Sequence, residues 1–209
     1  MLHSLWNPKK RGTLIFSTYR SGTHFLMRSL EEHIKFSKGA DYLVLALGEF
    51  HNADEQIDFS YLTNLKSDYT IGIINSSFAK FLLTGKNKDL EKWHVVHLTR
   101  HDKISHFISE YVWRFNPTEV NHHGCTADHF ENLKNNKVYY ELYKVVNWLK
   151  EDLINYLFPC AVCIDYEDLQ LIKNIHIPWR PNHYNLQLFD LFTNSTEIEN
   201  LLKTYNTSG

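Results

Sequence analysis

The sequence predicts an α/β fold, in which helices flank a central, mostly parallel sheet in three layers. Short β-rich apolar runs alternate along the chain with segments whose apolar residues recur every three or four positions, which is the spacing of one helix face. Strands separated by helices typically form a parallel sheet covered on both faces. No internal repeat or linker-like composition interrupts the alternation, so we expect residues 1–209 to form a single domain.

The elements follow one another in a regular order. The first strand ends in polar residues, and Leu26, Leu30 and Ile34 then mark one face of a helix that runs from Gly22 to a stop at Gly39. The remaining apolar runs and periodic segments are assigned in the same way. Strands are predicted at 13–17, 69–75, 93–99 and 161–165, an apolar run at 42–47, and further helices at 54–65, 78–83, 102–113, 138–156, 166–169 and 196–202.

Composition and charge exclude several classes of protein. Lys plus Arg number 22 against 24 for Asp plus Glu, a formal net charge of −2, whereas a chain that binds nucleic acid through its overall field is clearly basic. We expect no signal peptide and no membrane span, because residues 1–11 contain no long apolar run and no apolar stretch approaches the ~20 residues that span a bilayer. Cys160 and Cys163 fall on a predicted strand, where we expect small buried hydrophobic residues rather than a metal or redox pair. A reducing, cytoplasmic location is therefore expected.

A polar turn between the first strand and the first helix is the strongest functional signal. Unpaired N–H groups and the helix dipole favour a phosphate at such a junction. Gly22 allows close approach of a ligand to the backbone, Ser21, Thr23 and Ser17 offer hydroxyl donors, and Arg20 can contact two phosphate oxygens. The nucleotide loop G-x-x-x-x-G-K-[ST] is absent, which argues against an ordinary ATPase or kinase. A capped helix start without a ligand is the alternative interpretation.

A second strand, 93–99, ends in a similar polar turn. Arg100 stands at the strand end, and Ser109 follows nine positions later on the predicted helix. Carboxyl ends of parallel strands share one edge of a sheet, where ligands bind. Arg20 and Arg100 are therefore expected to converge on one ligand with two anionic groups. A solvated charged turn is the alternative.

These two segments resemble the PAPS-dependent sulfotransferases, most closely the bacterial trehalose-sulfotransferase type. Residues 18–26 (TYRSGTHFL) are similar to the 5′-phosphosulfate loop of that family, and Arg100 with Asp102, Ser105 and Ser109 is similar to its 3′-phosphate strand and helix. The resemblance implies a P-loop-like sulfotransferase fold and transfer of a sulfuryl group from PAPS to an acceptor, leaving adenosine 3′,5′-bisphosphate. The nucleotide-binding residues it implies are Arg20, Ser21, Gly22, Thr23, His24, Phe25, Arg100 and Ser109.

The resemblance also implies a general base, Glu49, which precedes Phe50 in the loop after the 42–47 run. His51 is the nearest alternative base, because an imidazole titrates near neutrality. Arg20 would stabilise charge on the leaving phosphate. The acceptor is expected to be a small molecule or glycan bearing a hydroxyl. A homodimer is left open, and no metal is expected, because the histidines lack metalloenzyme spacing.

Three features depart from the family pattern. His24 replaces a small hydroxyl residue, Ile73 stands where members often carry Lys, and the basic C-terminal loop is missing, with Arg180 the nearest basic substitute. Two other functions therefore stay open: a small nucleotide or metabolite kinase, and a nucleotide-binding protein without turnover.

Overall fold

Five parallel strands form the sheet in the part of the chain that the computed structural model describes, which is residues 2–18, 21–38, 44–47, 69–75, 91–114, 127–156, 162–169 and 186–206. The strands are β1 (Gly12–Ser17), β2 (Val44–Leu47), β3 (Tyr69–Asn75), β4 (His94–Thr99) and β5 (Val162–Asp165), in the spatial order β2-β3-β1-β4-β5. All four strand pairs are parallel. The predicted α/β class is confirmed at this level.

Helices separate β1 from β2 and β4 from β5, as the apolar spacing predicts. A short 3-10 helix, Leu2–Leu5, precedes β1. The α-helices are α1 (Thr23–Lys38), α2 (Lys103–Arg114), α3 (Ala127–Asn135), α4 (Leu142–Tyr156), α5 (Tyr166–Leu169), α6 (Leu188–Leu191) and α7 (Ser195–Asn206). No helix among the described residues is both long and apolar enough to cross a bilayer.

The chain divides into two compact units, and the prediction of a single domain over 1–209 stays a prediction. The first unit contains Met1–Thr99 and Glu151–Ile175, and the second contains Arg100–Lys150 and His176–Gly209. The first unit is built on the sheet. Its core joins Ile15 of β1 and Val96 of β4 to Leu26 and Leu30 of α1, and all four side chains are fully buried. Their burial holds α1 against the sheet.

The second unit is helical and has a core of its own. Aromatic rings meet edge-on there: Tyr111 and Phe192 lie with centroids 4.5 Å apart, and Phe107 and Trp148 with centroids 5.4 Å apart. Such edge-to-face packing adds to the stabilisation from burial. Burial is the main reason that the pKa of Tyr111 is raised, and the neighbouring Tyr140 raises it further.

Two sequence predictions, one in each unit, are wrong. The helix predicted at 138–156 begins only at Leu142, because Val138 instead forms an isolated parallel bridge with Phe192 and its N–H donates to the carbonyl of Leu191 at 3.1 Å. Cys163, expected to be buried, is exposed, since β5 lies at the edge of the sheet. Helices predicted at 54–65 and 78–83 lie outside the described residues, as does Cys160.

Candidate functional site

The β1–α1 turn, residues 18–22, follows the strand at which the order of the sheet reverses. From β1 the chain crosses to β2 on one side of the sheet, and β4, the other neighbour of β1, leads to β5 on the opposite side. Neighbouring strands whose connections run in opposite directions leave a crevice at their carboxyl ends, and this is where open α/β sheets bind ligands. The turn therefore lies at the position in the first unit where a ligand is most expected.

Gly22 gives the turn its shape. It has a φ of +92°, a conformation that residues with a Cβ rarely adopt. Its carbonyl accepts the N–H of Leu26 at 3.0 Å, which is the first bond of α1. The ring of Tyr166, the first residue of α5, lies directly against it: an added Cβ would sit 2.3 Å from Tyr166 Cδ2 and 2.4 Å from Cε2. Only glycine fits this position.

The hydroxyls of Thr18 and Ser21 in the turn form a hydrogen-bonded chain that ends on a buried carboxylate. Thr18 Oγ1 donates to Asp152 Oδ1 at 3.0 Å, and Ser21 Oγ lies 2.9 Å from Thr18 Oγ1 and donates to the carbonyl of Thr18 at 2.8 Å. Asp152 belongs to α4 and is 3% exposed, and Ser21 is fully buried. These hydrogen bonds among Thr18, Ser21 and Asp152, which we call the brace, hold the turn in place from within the first unit. The predicted role of Ser21 as a phosphate ligand is untested, but its hydroxyl serves this brace.

The hydroxyl of Ser17, unlike those of Thr18 and Ser21, is not part of this hydrogen-bonded chain. Ser17 is the last residue of β1, it is fully buried, and its hydroxyl has no hydrogen-bond partner among the described residues. Buried polar groups are nearly always paired. Side chains alternate along a strand, so Ser17 shares its face of the sheet with Ile15, which packs in the same core as Leu26 of α1. Its hydroxyl is thus a donor on the side of the sheet that α1 covers.

The first turn of α1 carries no acidic residue to oppose a bound anion. Its leading N–H groups have no partner within the helix, and the helix dipole is positive at this end. Thr23 is buried, and the ring of Phe25 packs edge-on against Tyr166 with centroids 6.3 Å apart. The predicted contributions of Thr23 and Phe25 to nucleotide binding would therefore come mainly through their backbone amides.

At the end of β4, Thr99 is tied to β5. Its hydroxyl contacts the carbonyl of Ile164 at 3.3 Å and donates to the carboxylate of Asp165. Asp165 is the register partner of Thr99, so the carboxyl ends of β4 and β5 are joined directly. In the sheet this end of β4 neighbours β1, with Phe16 beside His97 in register.

Arg100 and the α2 segment belong to the second unit. The ammonium of Lys103, which is only 4% exposed, donates to the carbonyl of Arg100 at 2.5 Å. Asp102 caps α2: its carboxylate accepts the N–H of Ser105 at 3.0 Å and the hydroxyl of Ser105 at 2.5 Å. The match of these two residues to the family pattern thus coincides with a helix cap. Ser109 is half-buried one turn further along α2.

Two residues of these segments were missed by the sequence interpretation. In the sequence, Lys103 belongs to a run of charged residues that is typical of a surface turn, yet its side chain is buried. Asp152 lies three positions after Leu149 within the apolar period of α4, and both side chains are buried. An acid on the apolar face of a helix is the signal that could have marked Asp152.

Several predicted site residues lie outside the described part of the chain. They are Arg20, Glu49, the alternative base His51 and Arg180; of His24, the backbone is described within α1 but the side chain is not. The convergence of Arg20 with Arg100 and the assignment of the base therefore stay predictions.

The histidines that are described form parts of the core or lie at the surface. His97 is 2% exposed, and burial lowers its pKa to about 4, so the imidazole is neutral at physiological pH. His106 is fully buried with its ring 4.9 Å from that of Trp148. Within the described ranges, no three His, Cys, Asp or Glu side chains lie together as metal ligands would.

Comparisons of the chain with family models, with curated proteins and with solved structures found no match.

Proposed function

We propose that this chain is a PAPS-dependent sulfotransferase that moves a sulfuryl group to the hydroxyl of a small-molecule or glycan acceptor. The proposal includes the finer fold that the sequence predicts, a three-layer, P-loop-like sulfotransferase domain. It rests on the resemblance of residues 18–26 and of the Arg100 segment to that family, together with the geometry of the β1–α1 turn.

The single observation that carries the proposal is the turn at Gly22. A glycine at φ +92° leads into a 16-residue helix at the point where the strand order reverses, with no acid in the first helical turn. Backbone amides at such a helix start bind phosphate or phosphosulfate groups. The buried hydroxyl of Ser17 adds a donor on the side of the sheet that α1 covers, without a hydrogen-bond partner among the described residues.

The chemistry assigned to the site is an in-line displacement. The acceptor oxygen attacks the sulfur of PAPS, the bond from sulfur to the 5′-phosphate oxygen breaks, and adenosine 3′,5′-bisphosphate leaves with the electron pair. Negative charge builds on the leaving phosphate, where Arg20 and the amides of Gly22 to His24 would stabilise it. Glu49 would take the acceptor proton. Arg100 and Ser109 would bind the 3′-phosphate, which distinguishes PAPS from ATP.

Ligand-dependent thermal stabilisation tests the nucleotide. At a free concentration one hundred times its Kd, a ligand adds ~2.7 kcal/mol to stability, which for a chain of this size raises the Tm by roughly 5–10 °C. We expect this shift with adenosine 3′,5′-bisphosphate and a much smaller one with ADP or ATP plus Mg²⁺. A preference for ATP would replace the proposal with a kinase.

Turnover tests the reaction. Consumption of PAPS is measured across a panel of sugars, phenols and amines. Glu49→Gln should leave bisphosphate binding intact and reduce turnover by at least roughly 100-fold, whereas His51→Gln, which removes the alternative base, should reduce turnover far less. Binding of the bisphosphate without PAPS consumption on any acceptor would favour a nucleotide-binding protein without turnover. Normal turnover by Glu49→Gln would overturn the assignment of the base.

A further inference from the structure

The hydroxyl protons of Thr18 and Ser21 are both used within the protein. Each hydroxyl has one proton to donate. That of Thr18 goes to the carboxylate of Asp152 at 3.0 Å. The short contact between Thr18 Oγ1 and Ser21 Oγ therefore takes its proton from Ser21, which shares it between the hydroxyl of Thr18, at 2.9 Å, and the carbonyl of Thr18, at 2.8 Å.

We infer that Asp152 is a positioning residue for the anion-binding turn. The hydroxyls of Thr18 and Ser21 connect Asp152 to the turn by hydrogen bonds and do not bind the anion. This inference rests on the proposed function for the identity of the anion, but the brace itself does not depend on it. With both protons committed, the oxygens of Thr18 and Ser21 offer only lone pairs, which repel a phosphate. Binding is then left to the backbone amides, to Arg20 and to the remaining donors.

The burial of the brace explains why it must stay intact. Asp152 is 3% exposed, Thr18 is 4% exposed and Ser21 is fully buried. Removing the carboxylate would take away the acceptor of the hydrogen bond that Thr18 donates to Asp152, and the loss of a buried hydrogen bond destabilises the structure around it. Because Ser21 directly precedes Gly22, a loosened brace moves the amides that would contact the ligand. Asp152 thus acts on binding through the turn.

The alternative is that Asp152 matters only through its negative charge, which opposes a nearby anion. The two roles predict opposite signs. If charge dominates, Asp152→Ala and Asp152→Asn both tighten binding. If the hydrogen bond dominates, Asp152→Ala weakens binding, and Asp152→Asn, whose amide oxygen can still accept the Thr18 proton, restores it.

The experiment measures the Kd for adenosine 3′,5′-bisphosphate by calorimetry in these variants. We expect Asp152→Ala to raise the Kd about tenfold, Asp152→Asn to stay within about threefold of the unmodified chain, and Ser21→Ala to raise the Kd by a smaller factor in the Asp152→Ala background than in the unmodified chain. Ser29→Ala is the matched control, because Ser29 is a buried serine of α1 that donates to the carbonyl of Phe25 at 2.7 Å. Tighter binding by Asp152→Ala, or a full additional loss from Ser21→Ala, overturns the inference.

Hydrogen exchange of the ligand-free protein tests the positioning role of Asp152 independently of the proposed sulfotransferase function. Amides of residues 17–28 should exchange faster in Asp152→Ala than in Asp152→Asn or Ser29→Ala. If the unmodified chain does not bind the bisphosphate, the proposed function fails, while this comparison still tests the brace. Unchanged exchange in Asp152→Ala would show that Asp152 does not position the turn.

Discussion

Replacing Gly22 with Ala tests the geometry of the β1–α1 turn most sharply. The methyl group would sit 2.3 Å from Tyr166 Cδ2 and 2.4 Å from Cε2, whereas ordinary carbon contacts lie near 3.5–4.0 Å. The Tyr166 ring would have to move by more than an ångström. It is held edge-on against Phe25 beside the core of the first unit, so the move disturbs that packing.

The expected penalty has two parts. A left-handed φ costs a residue with a Cβ roughly 1–2 kcal/mol, and forcing a methyl group into a packed site costs about 1–3 kcal/mol more. Gly22→Ala should therefore lower the free energy of unfolding by roughly 2–5 kcal/mol. The clash part should disappear when Tyr166 is also replaced by Ala, leaving the penalty from φ.

Urea unfolding followed by tryptophan fluorescence measures this, since the chain has five tryptophans. A double-mutant cycle of Gly22→Ala with Tyr166→Ala should give a coupling free energy of about 1–3 kcal/mol. A penalty below about 0.5 kcal/mol for Gly22→Ala, or an equal penalty with and without the Tyr166 ring, would refute the reasoning.

Two further predictions concern pH and helix capping. Because burial holds the pKa of His97 at about 4 against 6.5 for the free side chain, the unfolded chain binds more protons, and stability should fall as pH drops from 6.5 to 4, by about 3 kcal/mol in total. When the free energy of unfolding is measured against pH, His97→Phe should not show this decrease, whereas His101→Gln, at an exposed position, should still show it. An unchanged decrease in His97→Phe would contradict the lowered pKa of His97. Asp102→Ala removes the cap of α2 and should lower the unfolding free energy by about 1 kcal/mol, with Asp102→Asn recovering most of it. Equal stabilities of the two Asp102 variants would show that the side chain does not cap the helix.

The local pattern of apolar residues is sufficient to predict most strands of the sheet. The alternation of β-rich runs with helical spacing predicts β1, β3, β4 and β5 to within a residue or so, because each of these strands coincides with a short β-rich apolar run. The strand order is not visible in the sequence, since it depends on which strands pair across long connections. It is nevertheless the strand order that makes the β1–α1 turn a ligand position.

The errors have separate physical causes, and pairing between distant residues is one of them. Val138 has the right spacing for the face of α4, but its backbone pairs with the Leu191–Thr193 segment instead. Helix α3 has few apolar residues, chiefly Phe130 and Leu133, so too few positions show the helical spacing for the sequence to predict this helix. At the candidate site, sequence found the glycine turn but could not find Asp152, because only the fold brings α4 to Thr18.

Calorimetric titration with adenosine 3′,5′-bisphosphate and with adenosine 5′-monophosphate tests the proposed function most directly. We expect the bisphosphate to bind roughly tenfold or more tightly than the monophosphate, since the 3′-phosphate adds charge-assisted hydrogen bonds. In Arg100→Ala the two ligands should bind about equally, because the proposed 3′-phosphate contact is gone. Equal affinities for the unmodified chain, or no binding of either nucleotide, would contradict the assignment.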